Sequence, residues 1–91
     1  RVGTSPAQEA QLRADIAQIE AQGATDIRVN QAHVNAQGQM VGLNRPDLQY
    51  TLNGRRYYIE YERSAAGRGF EHSQRIKEND PSAIIEVKII P

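Results

Sequence analysis

The sequence predicts an α+β fold, α/β-like in its layering: one small domain in the order α-β-β-β-α-β around a central mixed sheet with a tight hairpin at Asn53-Gly54. Three observations carry that expectation. Ser5-Pro6 opens a stretch whose apolar residues recur at helical spacing, Asn53-Gly54 stands between two runs that alternate with period two, and Ala83 to Ile90 is a nearly continuous β-branched run. At 91 residues and 10.2 kDa there is room for one core, so residues 1–91 are read as a single domain without separate cofactor and substrate lobes. Leu, Ile, Val and Phe supply 19 of the 91 residues, about a fifth, which predicts a thin core.

Ser5, Pro6 and Gln8 read as an N-cap, a proline at N1 and the S-x-x-Q form of a capping box. Leu12, Ile16 and Ile19 follow at i, i+4 and i+7, and Gly23 supplies a left-handed stop, which places a helix at about residues 6–22. Asp26 to Asn30 alternates polar and apolar, and the pattern weakens through Ala32 and Val34 toward a turn at Gln37-Gly38. Pro46 removes a ladder donor, so the second strand starts beyond it, at about 47–52. The Asn53-Gly54 pair suits a type I′ turn, which needs φ > 0 at both central residues, and the third strand then runs over about 55–62. Ser64 to Gly69 reads as a loop, Phe70 to Glu78 as a short helix with Phe70, Ser73 and Ile76 inward, and Asn79-Asp80-Pro81 as its stop. The final run, Ala83 to Ile90, is expected to be a strand buried on both faces.

Eleven cations balance eleven acids, so no whole-molecule field draws the chain to nucleic acid or to an anionic membrane, and any polyanion site must be local. The balance is uneven along the chain. Residues 45–68 carry five Arg against three acids and hold all four tyrosines, and nine of the eleven cations in the chain are Arg, the side chain suited to bidentate phosphate contacts. Cysteine is absent, which removes disulfides, thiolate zinc sites and cysteine nucleophiles. No apolar window suits a membrane span and no leader pattern is present, so the chain is expected to act without a membrane; starting at Arg1 without a Met, it is expected to be a piece of a longer protein.

A two-residue turn at Asn53-Gly54 fixes the hairpin register: Leu52 faces Arg55, Thr51 faces Arg56, Tyr50 faces Tyr57, Leu48 faces Ile59 and Asp47 faces Glu60. One sheet face then carries Leu48, Tyr50, Leu52, Tyr57, Ile59 and Tyr61, and the other carries Asp47, Gln49, Thr51, Arg56, Tyr58, Glu60 and Glu62. Facing carboxylates have Cβ atoms roughly 4.5–5.5 Å apart and repel. A divalent metal held by Asp47 and Glu60 would offset that cost; Mg²⁺, which takes one or two carboxylates with waters and phosphate oxygens, is the first expectation, with Mn²⁺ or Zn²⁺ as others. The plainer reading pairs Asp47 and Glu60 with Arg45 and Arg56 on a solvated face. His33 reads as an ordinary surface residue. Tyr58 is the tyrosine placed to stack on a base, since Tyr57 and Tyr61 point to the core face.

Pro46-Asp47 followed after twelve residues by Glu60-Tyr61-Glu62, in this element order, resembles the PD-(D/E)XK nuclease superfamily. The segments Asn44 to Tyr50, Gly67-Arg68-Gly69, His72, Arg75-Ile76 and Asn79-Asp80-Pro81 look like C-terminal toxin domains of bacterial contact-dependent growth inhibition and Rhs-type proteins. The resemblance implies a metal-dependent nuclease delivered from a secreted, cell-surface parent protein into the cytoplasm of a target bacterium and silenced by a cognate immunity protein. It implies Asp47 and Glu60 as metal ligands. Glu62 stands where the family has Lys and is expected to act as general base. Arg68, His72 and Arg75, from the following loop and helix, are expected to bind phosphate, with His72 also a proton donor; Arg56, Gln49 and Tyr58 complete the expected substrate face. DNA is the favoured substrate and RNA the other. Two different functions compete with this one: a metal-independent toxin ribonuclease using His72 with Arg68 or Arg75, and a non-catalytic module whose Arg-rich sheet face docks an acidic partner.

Overall fold

Ser5 caps the first helix in extended conformation (φ −131°, ψ 130°), its hydroxyl accepting from the Gln8 amide at 3.4 Å, and Pro6 occupies the first turn. The computed structural model describes residues 5–63 and 69–90, with residues 69–73 described as backbone alone. In chain order the elements are α1 Pro6–Ala21, β1 Thr25–Val29, β2 Leu48–Leu52, β3 Arg55–Glu62, α2 Gly69–Asn79 and β4 Ile84–Ile89. The fold is therefore α+β with the expected α-β-β-β-α-β order. None of the described helices is long and apolar enough to cross a membrane.

The sheet order is β1-β2-β3-β4, with β1, β2 and β3 antiparallel in succession and β4 parallel to β3. Asn53 (φ 54°) and Gly54 (φ 78°) both lie in the left-handed region that a type I′ turn requires. The ladder from Leu48–Ile59 to Leu52–Arg55 has the expected register. Asp26 (φ 49°) interrupts β1 where its pairing with β2 shifts between Thr25 and Arg28, and Asp is among the few residues that tolerate this conformation.

One sheet face packs on α1 through Leu12, Ile19, Leu48, Tyr50, Ile59, Tyr61 and Ile90. On the other face Tyr58 packs with Ile76 of α2, Ala83 and Ile85. The segment between β1 and β2 folds back over this second face: Val34 bridges to Met40, Val41 N–H donates to His33 O, and His33 N–H donates to Asn44 O.

That covering segment corrects two expectations. The face carrying Gln49, Arg56 and Tyr58 is not solvated, and His33 is not a surface residue. His33 has no exposed surface and meets Tyr58 edge-on with ring centroids 4.5 Å apart. A third correction concerns β4. It is an edge strand, partly buried along its length, with Ile89 half exposed. Ile85 packs on the α2 side, but Glu86 on the opposite face is exposed, so the strand is not buried on both faces.

Candidate active site

Asp47 sits one residue before β2, behind the buried Pro46, and its Oδ2 accepts the Tyr61 backbone N–H at 2.8 Å. Asp47 O accepts from Asn30 N–H at 3.1 Å, so the loop leaving β1 helps hold it. With the ladder in the register above, Glu60 of β3 faces Asp47, and the two carboxyls share a hydrogen bond. Both are inside the protein, 4 % and 3 % exposed. Burial, then the neighbouring charges of Asp47 and Glu62, push Glu60 up to about 8. At neutral pH Glu60 therefore keeps its proton, as burial beside the Asp47 carboxyl favours.

Glu62, two residues on, is partly exposed and follows Glu60 on the same side of β3. Among the described residues no three His, Cys, Asp or Glu side chains are grouped to hold a metal ion. What the hairpin offers is a two-carboxylate site. That donor set suits a hard cation that keeps waters and takes substrate oxygens, and a cation there would displace the Glu60 proton.

Arg56 does not pair with Asp47 or Glu60. It is 2 % exposed and spends its donors elsewhere: Nε to Val34 O at 3.1 Å, Nη1 to Asp26 O and Thr51 Oγ1 at 2.9 Å each, and Nη2 to Gln49 Oε1 at 2.9 Å. The Asp26 carboxylate lies 3.6 Å away. Burial lowers the guanidinium's pKa, and Asp26 opposes that shift. Gln49 Oε1 also accepts from Val34 N–H, while its Nε2 donates to Gln31 O and Ala32 O. The Tyr58 hydroxyl donates to Val34 O and contacts Asp80 Oδ2 at 3.2 Å. Gln49, Arg56 and Tyr58 thus form the polar network that clamps residues 31–34 to the sheet. Their expected role as substrate contacts is corrected, because none has free surface to offer.

Of the remaining expected site residues, Arg75 is exposed on α2, directly before the buried Ile76. Arg68 lies outside the described residues, and His72 is placed only by the α2 backbone, four residues into the helix from Gly69 by its number. Arg45 and Arg63 are exposed and flank the carboxylates in sequence, at the end of the β2–β3 hairpin away from the turn.

A second polar cluster went unanticipated on the α1 face. Asp15 is buried; its Oδ2 accepts from the Tyr61 hydroxyl at 2.6 Å, and its Oδ1 accepts from Lys88 Nζ and Gln11 Nε2 at 3.0 Å each. Burial alone would raise the Asp15 pKa, and the three hydrogen bonds outweigh it, leaving the group below the usual carboxylate value. The sequence does carry a signal for it: Asp15 lies three residues after Leu12 and four before Ile19, on the apolar stripe. Lys88 is committed to this cluster and Lys77 donates to Ala83 O at 2.8 Å, so both lysines are engaged away from Glu60.

Comparison with protein-family models, with curated proteins and with solved structures finds no match for this chain.

Proposed function

We propose that the domain is a nuclease, an antibacterial toxin module that hydrolyses phosphodiester bonds, DNA first, with a divalent metal at Asp47 and Glu60. The observation that carries this reading is the buried Asp47–Glu60 pair at the end of the hairpin away from the turn, with Glu60 pushed up to about 8. Two facing acids inside a fold are costly unless a proton or a cation sits between them. A divalent cation there supplies charge stabilisation for phosphoryl oxygens and lowers the pKa of water. Asp47 and Glu60 would hold that cation. Glu62, partly exposed and two residues along β3, accepts the proton of the attacking water. Arg75 and Arg68, with His72 on the same helix face as Arg75, bind the phosphate backbone. The element order α-β-β-β-α-β also supports the resemblance to the PD-(D/E)XK superfamily. A toxin of this kind requires a cognate immunity protein in the producing cell, and a partner with carboxylates that imitate phosphate suits exposed arginines.

A second reading has its own observation. Glu60, pushed up to about 8, keeps a proton to donate near neutral pH, which supports metal-independent cleavage of RNA. The test is the purified domain on plasmid DNA and on total tRNA, with Mg²⁺, Mn²⁺, Zn²⁺ or EDTA. Cleavage that EDTA abolishes favours the first reading, and cleavage of RNA that survives EDTA favours the second. No cleavage under any condition leaves a binding module.

A further inference from the structure

The two edges of the sheet differ. At β1 the pairing shifts between Thr25 and Arg28 and Asp26 is left-handed, an irregularity of the kind that keeps further strands off an edge. β4 has no such break. It pairs with β3 in unbroken register from Ile84 to Ile89, contains no proline, and among the described residues has no strand on its other side.

Backbone alternation decides which groups that outer side presents. The Ile90 N–H donates to Glu62 O, so the even-numbered residues of β4 turn their backbone groups toward β3 and the odd-numbered ones turn theirs away. Ile85, Val87 and Ile89 therefore offer N–H and C=O at the edge, and the Ile89 side chain beside them is half exposed. Side chains alternate as well: Ile85 lies on the α2 side, and Glu86 and Lys88 lie on the α1 side.

The run Ile85-Glu86-Val87-Lys88-Ile89 is complementary to itself about Val87. In an antiparallel pairing with a second copy that sets Val87 against Val87, Glu86 of each copy faces Lys88 of the other, and Ile85 faces Ile89. The residues whose backbone groups point outward then form the hydrogen-bonded pairs. Glu86 and Lys88 fall at the non-hydrogen-bonded pairs, where facing side chains come closest and opposite charges attract. Sliding one copy by two residues sets Glu86 against Glu86 or Lys88 against Lys88, and sliding it by one removes the hydrogen bonds, so one register is selected. A lone lysine on an edge strand opposes pairing; an acid two residues before it reverses that effect for a second copy of the same strand. Lys88 gives one of its three donors to Asp15 at 3.0 Å and has others for the facing carboxylate. With zero formal net charge, two copies meet without general repulsion.

We infer that β4 is a self-association edge, where two copies of this chain pair β4 to β4 antiparallel about Val87 and join their sheets into one. None of the proposed catalytic residues takes part, and the inference does not rest on the nuclease reading.

The test is sedimentation equilibrium of the domain from micromolar to millimolar concentration at low salt, with amide hydrogen exchange read by NMR over the same range. The protein dimerises as concentration rises, and the amides of Ile85, Val87 and Ile89 gain protection with it, while those of Glu86 and Lys88, bonded to β3, are protected throughout. Val87→Pro removes the donor at the two-fold axis without touching the β3 ladder and leaves the protein monomeric, with the Glu86 and Lys88 amides still protected as the report of an intact sheet. Glu86→Gln, at an exposed position, weakens dimerisation by about fivefold, the scale of the exposed ion pairs lost, and Glu86→Lys weakens it further. A wild type that stays monomeric at millimolar concentration overturns the inference, as does a dimer in which the three edge amides gain no protection. Edge amides protected equally at every concentration assign the edge to another segment of the same chain and also overturn it. So does wild-type association by Glu86→Lys or by a folded Val87→Pro.

Discussion

The carboxyl of Glu60 is hydrogen-bonded to Asp47 across the β2–β3 pair, and Asp47 in turn accepts the backbone N–H of Tyr61, the residue after Glu60. Asp47 is oriented by the strand that carries its partner, and Glu60 is left with a pKa of about 8.

This raised pKa makes metal-free stability fall with rising pH. Between about pH 4.5 and about pH 8 the folded protein keeps a proton on Glu60 that the unfolded chain has released, so the folded state loses ground at up to about 1.4 kcal/mol per pH unit. The contribution is fully present below the unfolded pKa and is gone above the folded one. Urea midpoints measured across that window in EDTA should decline for the wild type. Glu60→Gln, which keeps the hydrogen-bonding shape without the charge, should flatten the decline and be the more stable protein at pH 8.

His33 works in the opposite direction. Its ring is fully buried, neither nitrogen has a hydrogen-bond partner among the described residues, and burial lowers its pKa, with Asp80 opposing and Arg56 adding to the shift. Its contribution to stability is therefore present above about pH 6.5, the unfolded value, and is lost as pH falls through the folded pKa. His33→Phe retains the edge contact with Tyr58 and should be more acid-resistant than the wild type. Equal acid midpoints for the two proteins would remove His33 as the cause.

Arg56 and Arg75 should separate cleanly. Arg56→Met removes four hydrogen bonds, two of them fully buried, and should destabilise by about 3 kcal/mol. Arg75→Gln, at an exposed helix position, should leave the unfolding midpoint in place and lower the slope of log affinity for nucleic acid against log salt by about 1. An unchanged slope for Arg75→Gln would return that residue to the solvated helix surface.

Tyr61→Phe removes the hydroxyl that donates to the buried Asp15 carboxylate at 2.6 Å, and should cost about 1–3 kcal/mol at neutral pH. Because Asp15 is held below its ordinary value of 3.8, its contribution is present above that pH and lost as pH falls through the folded pKa. The variant should show a smaller acid-linked loss below pH 3.8, read as a shallower fall of the urea midpoint.

What was legible in the sequence was set by local chemistry. Asn53-Gly54 determines the hairpin register through backbone φ alone, and the register places Asp47 opposite Glu60. Ser5-Pro6 likewise determines where α1 begins. What was not legible depends on contacts distant in sequence. Gln49, Arg56 and Tyr58 alternate like a solvent face because they are polar, yet their partners are backbone groups at residues 26 and 31–34, and no local pattern announces that those residues fold over them. His33 was hidden for the same reason. In β4 the run of isoleucine and valine suggested a strand buried on both faces, and the informative residues were the two charges within it, Glu86 and Lys88, which mark the side facing α1.

The most direct test of the account is cleavage of plasmid DNA and total tRNA by the wild type and by Glu60→Gln, each with Mg²⁺ and with EDTA, alongside the urea midpoint of both proteins. The account predicts metal-dependent cleavage by the wild type that is lost in Glu60→Gln while the variant stays folded. A folded Glu60→Gln protein that cuts as fast as the wild type would contradict it.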